Sequence, residues 1–327
     1  MTGLTLNNGV TLSGGNENSR TYFSYNNTYQ KGIIQNNKFM RHNVMLKESF
    51  SLFDKKVNVS ASLNWIHQKT NNPPNTGKTL SALHAVYRMP ADVDMRYFRN
   101  HYYHLGTWDD DIVSNPERGN LRLIGQPVQS WTWLDKSLNN PYWVTNMYNK
   151  ENKRDRLMGN ITLDWSIWQN IKYQTRLSVD MLFDNYRNEE YAGMNEAGWN
   201  TLAGKYDIGN SRSSNIYNDH MLTWNDRFKD KFDVNVALGG SFTRDYSRST
   251  STGVTIDTCG IPNAFTVNNS YKIVQTPGGE LIQVWSPSAS DSWNNKNWNS
   301  AIFATASIGL WDKVYIDGSY RVEWAQS

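Results

Sequence analysis

The chain has 327 residues, a formal charge of +3, 19% charged and 13% aromatic side chains, with 14 Trp and 18 Tyr. That charge, with no basic block, excludes a nucleic-acid footprint, and no run of about eighteen apolar residues exists to form a membrane-spanning helix. The single cysteine, Cys259, excludes an internal disulfide and a cysteine-rich metal site.

In chain order, the opening "MTGLTLNNGVTLSGGNENS" has neither the basic nor the apolar region of a signal peptide. Its "GGNENS" (14–19) reads as a tight turn, since Gly and Asn supply positive φ cheaply. Val57, Val59, Ala61, Leu63 and Trp65 then alternate with Asn58, Ser60, Ser62 and Asn64. The same period of two runs through Ile161 to Ile167, Ile171 to Phe183, Phe232 to Phe242 and Val314 to Trp324. Period two is the signature of strands with one apolar and one polar face. The pattern predicts about ten strands, most of about ten to fifteen residues, against five or six in ordinary globular sheets.

Two kinds of connection alternate along the chain. Tight ones are "FDKKV" (53–57), "WQNI" (168–171), "FKDKF" (228–232) and "WDKV" (311–314). Long polar ones are predicted near 70–155, 185–212 and 251–295, with a short one near 31–37. This describes an up-and-down antiparallel meander. About eleven residues at ~3.3 Å span ~36 Å, or ~26 Å at a 45° tilt, which fits the ~25 Å apolar band of an outer-membrane barrel. Trp65, Trp168, Phe228, Phe232, Trp311 and Trp324 lie near strand ends, where interfacial girdles belong. A half-exposed soluble sheet also alternates, but strand length, loop asymmetry and terminal aromatics together favour the membrane. The fold expected is all-β: a partial antiparallel transmembrane β-barrel with long extracellular loops. Leu163, Val179 and Val236 would then face lipid, and Asp164, Arg176, Asp180 and Asn235 a wet lumen.

Few motifs carry chemistry. "NTGKT" (75–79) lacks the first glycine of a phosphate loop, because position 72 is Asn72. It reads better as a turn into a helix near Leu80 to Arg88, with Thr79 as N-cap. His101 and His104 with Asp109, Asp110 and Asp111 carry metal-ligating groups, but a solvated acidic turn is the plainer reading. No nucleophile triad or carboxylate pair assembles from spacing, so neither an enzyme nor a cofactor site is expected. The aromatic cluster Tyr102, Tyr103, Trp108, Trp131, Trp133, Tyr142 and Trp143 crowds the 70–155 loop. Long loops are rarely structureless unless functional. These rings can form a mini-core, or contact sugar rings, peptide side chains or a partner, or do both, because aromatics combine apolar faces with polar tips. Trp131 and Trp133 share a face on an extended segment, while Tyr142 and Trp143 look like anchors near re-entry into the barrel.

Three stretches go beyond pattern: "GGNENSRTYFSYNNTYQKGII" (14–34), "SALHAVYRMPADVDMRYF" (81–98) and "NNPYWVTNMYNKENKRDRLMGNITLDWSIWQNIKYQTRLSVD" (139–180). Together they resemble the SusC/RagA type of TonB-dependent outer-membrane transporter, over nearly the whole chain as a mid-barrel portion. The resemblance implies a twenty-two-stranded barrel of which 1–327 supplies about ten strands, the plug domain and C-terminal strands lying elsewhere. It also implies import of an oligosaccharide or oligopeptide, with a SusD-like surface lipoprotein as lid and energy relayed through the TonB complex. The competing class is a secreted soluble β-rich carbohydrate-binding protein; a plain diffusion porin is a third.

Overall fold

Every alternating run of the sequence becomes a strand in the computed structural model, which describes residues 2–75, 81–108, 112–113, 120–121, 123–131, 138–193, 204–229, 231–255, 261–285, 290–311 and 313–326. Strands β1 (Leu4–Gly15), β2 (Ser19–Lys31), β3 (Lys38–Leu52) and β4 (Val57–Asn71) come first. Helices α1 (Ala82–Arg88) and α2 (Met95–Asn100) follow, then the short strands β5 (Tyr103–Leu105), β6 (Ile112–Val113), β7 (Asn120–Leu121) and β8 (Pro127–Gln129), and helix α3 (Pro141–Met147). The second half holds β9 (Tyr148–Ser166), β10 (Ile171–Glu190), β11 (Lys205–Phe228), β12 (Phe232–Thr255), the hairpin β13 (Tyr271–Gln275) and β14 (Leu281–Trp285), β15 (Ser290–Leu310) and β16 (Val314–Gln326).

Ten of these strands make one antiparallel sheet in chain order, β1-β2-β3-β4-β9-β10-β11-β12-β15-β16, with no crossover. The tight turns all lie at one end of this wall. At 16–18 the Asn16 carboxamide accepts the backbone N–H of Asn18 and of Ser19, both at 2.8 Å, which closes the turn locally. At the next tight turn Phe53, Asp54 and Lys55 are all left-handed, with φ of 53°, 55° and 66°. Lys229 and Trp311 repeat this at the later turns, with φ of 52° and 53°. Left-handed backbone at a residue with a Cβ is strained.

Pairing fixes which side chains share a face. Leu163 lies opposite Thr175 and Val59, and Thr175 leads through His220 to Gly240. Leu163, Val179 and Val236 therefore point one way and Asp164, Arg176 and Asn235 the other. The polar face is the concave one, because Arg41 of β3 and Asn295 of β15 line the same recess. The convex face is apolar and uncovered: Leu12 and Ile302 are each 62% exposed. Within the apolar band, two of its polar groups are paired with neighbours, as an apolar solvent requires. Glu48 accepts from Ser19 and Thr21, and the Tyr173 hydroxyl meets His220 Nδ1 at 2.6 Å.

The element bounds correct the sequence reading. Ladder pairing continues well past the apolar band, so the long connections shrink to 72–147, 191–204 and 256–289. Helix α1 begins later than expected, and its N-cap is Ser81, whose Oγ accepts the His84 N–H at 3.2 Å. Thr79 and the rest of 76–80 lie outside the described residues, as do Asp109 to Asp111, Trp133 and Cys259.

Candidate functional site

Above the wall, on the side away from the tight turns, the long connections pack into a cap. The sequence "NNP" (139–141) explains how one part is built. Asn140 caps α3 by accepting the Tyr142 N–H at 2.9 Å, and Pro141 takes the first helical position, where no N–H is needed. Gln129 of β8 then clasps this corner. Its Oε1 accepts the Asn140 backbone N–H at 2.7 Å, and its Nε2 donates to Asn139 Oδ1 at 3.1 Å. All three side chains are buried, so each hydrogen bond replaces water that cannot enter.

A second clasp joins the three loops to one another. Asn263 accepts the Ala192 N–H at 2.8 Å and donates to Gln126 Oε1 at 3.0 Å. Beside it Leu123, Ala192, Tyr206 and Val254 form the hydrophobic cluster of the cap, with Phe265 packed against them. None of these clasp residues was legible as a site, because each partner is distant in sequence.

The aromatic candidates divide by placement. Trp143 is fully buried beside α1, and its neighbour Tyr142 is half-buried. Trp131 sits edge-on against Phe98 with ring centroids 5.0 Å apart. Tyr102 and Tyr103 pack together at 5.0 Å, Tyr102 half-buried and Tyr103 exposed. Burial raises the Tyr102 hydroxyl above its ordinary pKa. Trp108 is 74% exposed. The sequence reading missed Tyr87 and Tyr97, which are exposed on the same cap at 85% and 59%. His101 and His104 do not converge on a shared ion: His101 Nδ1 lies 3.1 Å from the Tyr97 carbonyl and His104 Nδ1 lies 3.0 Å from Ser130 Oγ.

Below the cap, the concave face carries a recess of about 590 Å³. Arg154 grips Asp184 through two bonds of 2.6 and 2.8 Å, and Arg156 grips Asp180 at 2.9 and 2.6 Å. Arg176 pairs with Asp219, which also accepts the Tyr217 hydroxyl at 2.8 Å. Such two-pronged pairs hold guanidinium planes fixed on the concave face, and of these groups Arg154, Arg156 and Asp180 line the recess itself. Where wall meets cap, beyond the apolar band, Tyr148, Lys150 and Glu190 gather. Lys150 donates to Asn75 Oδ1 at 2.7 Å and sits 4.8 Å over the Tyr148 ring. Burial pushes the Glu190 carboxyl above and the Lys150 ammonium below their ordinary values. Burial, with Glu190 beside it, also raises the Tyr148 hydroxyl.

No family model and no curated protein matches the chain. Solved structures do. The RagAB peptide transporter superposes with a TM-score of 0.64 at 14% identity, covering 98% of this chain and 32% of that one. BauA, the ferric preacinetobactin receptor from Acinetobacter baumannii, gives 0.52 at 10% identity, over 98% and 39%. The outer membrane transporter YddB from Escherichia coli gives 0.52 at 8%, over 99% and 34%. The chain thus spans about a third of the length of the transporter barrels it matches. At these identities the likeness carries the fold alone, a ten-stranded antiparallel wall like a portion of the barrels of those transporters.

Proposed function

We propose that this chain is wall and outward loops of an outer-membrane importer of the SusC/RagA kind, carrying an oligopeptide or oligosaccharide. The observation that carries the reading is the polarity of the wall. Its convex face is an uncovered apolar band, while its concave face is charged and roofed by the cap. A soluble carbohydrate-binding sheet is disfavoured by the same fact, since water would meet Leu12, Ile302 and Tyr320 directly. Edges β1 and β16 have only one neighbour each, and in the whole barrel they would pair with strands outside this chain. A plug and the contact with TonB would lie there too.

In this mechanism cargo settles between a SusD-like lipoprotein lid and the plug, and energy relayed through TonB displaces the plug. The cap supplies the mouth. Tyr102, Tyr103, Trp108, Trp131 and Trp133 are its contact candidates, and Tyr142 and Trp143 its anchors. Peptide cargo is favoured over glycan by the fixed carboxylates and guanidinium groups of the recess, which complement peptide termini and charged side chains.

The test is uptake by cells carrying the full-length protein with Trp131→Ala and Trp133→Ala together. A stacking or packing contact of about 1–3 kcal/mol predicts uptake or lid affinity reduced about 5- to 150-fold at normal surface abundance. Normal import by the double variant, or loss only through misfolding, removes the binding role of that pair.

A further inference from the structure

On the convex face, just above the apolar band, four cations surround one tyrosine. The outward side of β12 carries Arg244, Tyr246 and Arg248 in succession. Lys296 of β15 lies opposite Tyr246, and Arg212 of β11 lies opposite Arg248. All four cations are exposed, and none has an ion-pair partner among the described residues. Like charges placed directly opposite one another destabilise a strand pair, so Arg212 beside Arg248 is a cost that an anion would remove. Arg212 also lies 5.1 Å over the ring of Phe183, the last apolar residue on the outward face of β10. The patch therefore begins where the apolar band stops.

Directly below it on the same strands the convex face is furrowed. A groove of about 580 Å³ runs past Leu222, Leu238, Gly240, Ile302, Tyr320 and Trp324. It exists because Gly240 and Ala304 place almost nothing between larger neighbours. Gly240 and Arg244 are four residues apart, ~13 Å along the strand. An apolar groove with a cationic rim one leaflet-depth above it matches an amphiphile with anionic head and hydrocarbon tails.

We infer that this face holds a phosphorylated glycolipid of the outer leaflet, its phosphates among Arg212, Arg244, Arg248 and Lys296 and an acyl chain in the furrow at Gly240. Guanidinium forks suit phosphate geometry, and the site lies at the depth where such headgroups sit. The inference rests on the membrane placement proposed above. It concerns the outside of the barrel and is independent of cargo.

The experiment titrates the full-length protein in detergent micelles with diphosphoryl lipid A and, separately, with its dephosphorylated form, reading bound lipid by native mass spectrometry. The wild type should retain the phosphorylated form about tenfold more tightly. Changing all four cations to Gln should erase that preference. Gly240→Leu should weaken both forms alike; a Cβ there meets only the Ala301 carbonyl at 3.5 Å, an ordinary contact, so the strand should tolerate it. Equal retention of the two forms by the wild type would overturn the proposal, as would an unchanged preference in the Gln variant. So would full displacement of the lipid by inorganic phosphate or by a poly-glutamate peptide, which would assign the patch to a small anion or an acidic protein. Insertion into phosphatidylcholine vesicles is measured in parallel. Its failure would sink the membrane placement, whereas the micelle titration judges the lipid site by itself.

Discussion

Wall and cap bury opposite things. In the cap Trp143, Leu138 and Val254 are wholly enclosed, with Leu123 and Ala85 nearly so, as in any water-soluble protein. Among the described residues of the ten-stranded wall, Tyr148, Tyr206 and Val254 are buried at strand ends beneath the cap, but within the apolar band only the small Ala237 and Ala301 are, while Leu, Ile, Trp and Tyr side chains stand outward. One chain obeys the same transfer energetics against two solvents. The wall is held by ladder hydrogen bonds that need no core, and in the proposed placement lipid tails supply its apolar surroundings. The cap must make its own core, and it needs polar clasps because its backbone is irregular. It follows that damage to one region should leave the other standing.

The largest effect is expected in the cap. Trp143→Ala should cost the cap about 3–5 kcal/mol, the usual range for removing a buried aromatic side chain. Amides across 72–147 should then exchange and be cleaved faster, while the ladder amides of β9 and β10 keep their protection. Trp143→Phe should be milder, because the buried indole N–H has no partner among the described residues and its loss leaves nothing unpaired. If the ladder amides open together with the cap, the two regions are a single cooperative unit.

The wall gives the next effect. Arg placed at Leu163 faces lipid and should cost about 2–4 kcal/mol, whereas Arg at Thr162 faces the lumen and should cost far less. Folding of the full-length protein into bilayers measures both. Equal tolerance at the two positions would end the membrane assignment and with it the contrast of solvents.

A smaller effect marks the junction. Burial raises the Glu190 carboxyl, so the folded protein binds that proton more tightly than the unfolded one does. The contribution is fully present below the ordinary carboxylate value and is lost as pH rises through the raised one. Opening of the junction near Tyr148 should therefore increase with pH over that window, and Glu190→Gln should flatten the dependence. An unaltered pH profile in Glu190→Gln would assign the titration to another group.

These contrasts also explain what the sequence could reveal. Alternation is visible only where the two faces meet different solvents. Leu157 to Trp165 shows it, but Lys150 to Asp155 is polar on both faces although β9 runs through it unbroken. That stretch lies beyond the apolar band, which is why the 70–155 boundary came out too wide. The tight turns were legible because their bracketing aromatics sit at an interface. The clasps of Gln129, Asn139, Asn140 and Asn263 were not, since ordinary polar residues acquire that role only from partners brought together by the fold. Glu48 escaped notice for the same reason: its place on the convex face depends on Ser19 and Thr21 across the ladder.

The smallest effect belongs to the turns that the wall shares with neither lipid nor cap. Three successive left-handed residues at Phe53, Asp54 and Lys55 carry a Cβ penalty of about 1–2 kcal/mol each. Lys55, with the largest φ of the three, is exposed, so a substitution there should act through the backbone alone. Gly at 55 removes the clash but returns about 0.5–1 kcal/mol as lost chain entropy, leaving a net gain of up to about 1.5 kcal/mol. Asn, which tolerates this conformation better than most residues, should gain less. Ala keeps the Cβ and should gain nothing. Urea midpoints for the full-length protein refolded in vesicles should therefore rank Gly above Asn, and Asn above Lys and Ala. If Ala were as stabilising as Gly, the benefit would come from removing the lysine charge, and the turn would not be under strain at all.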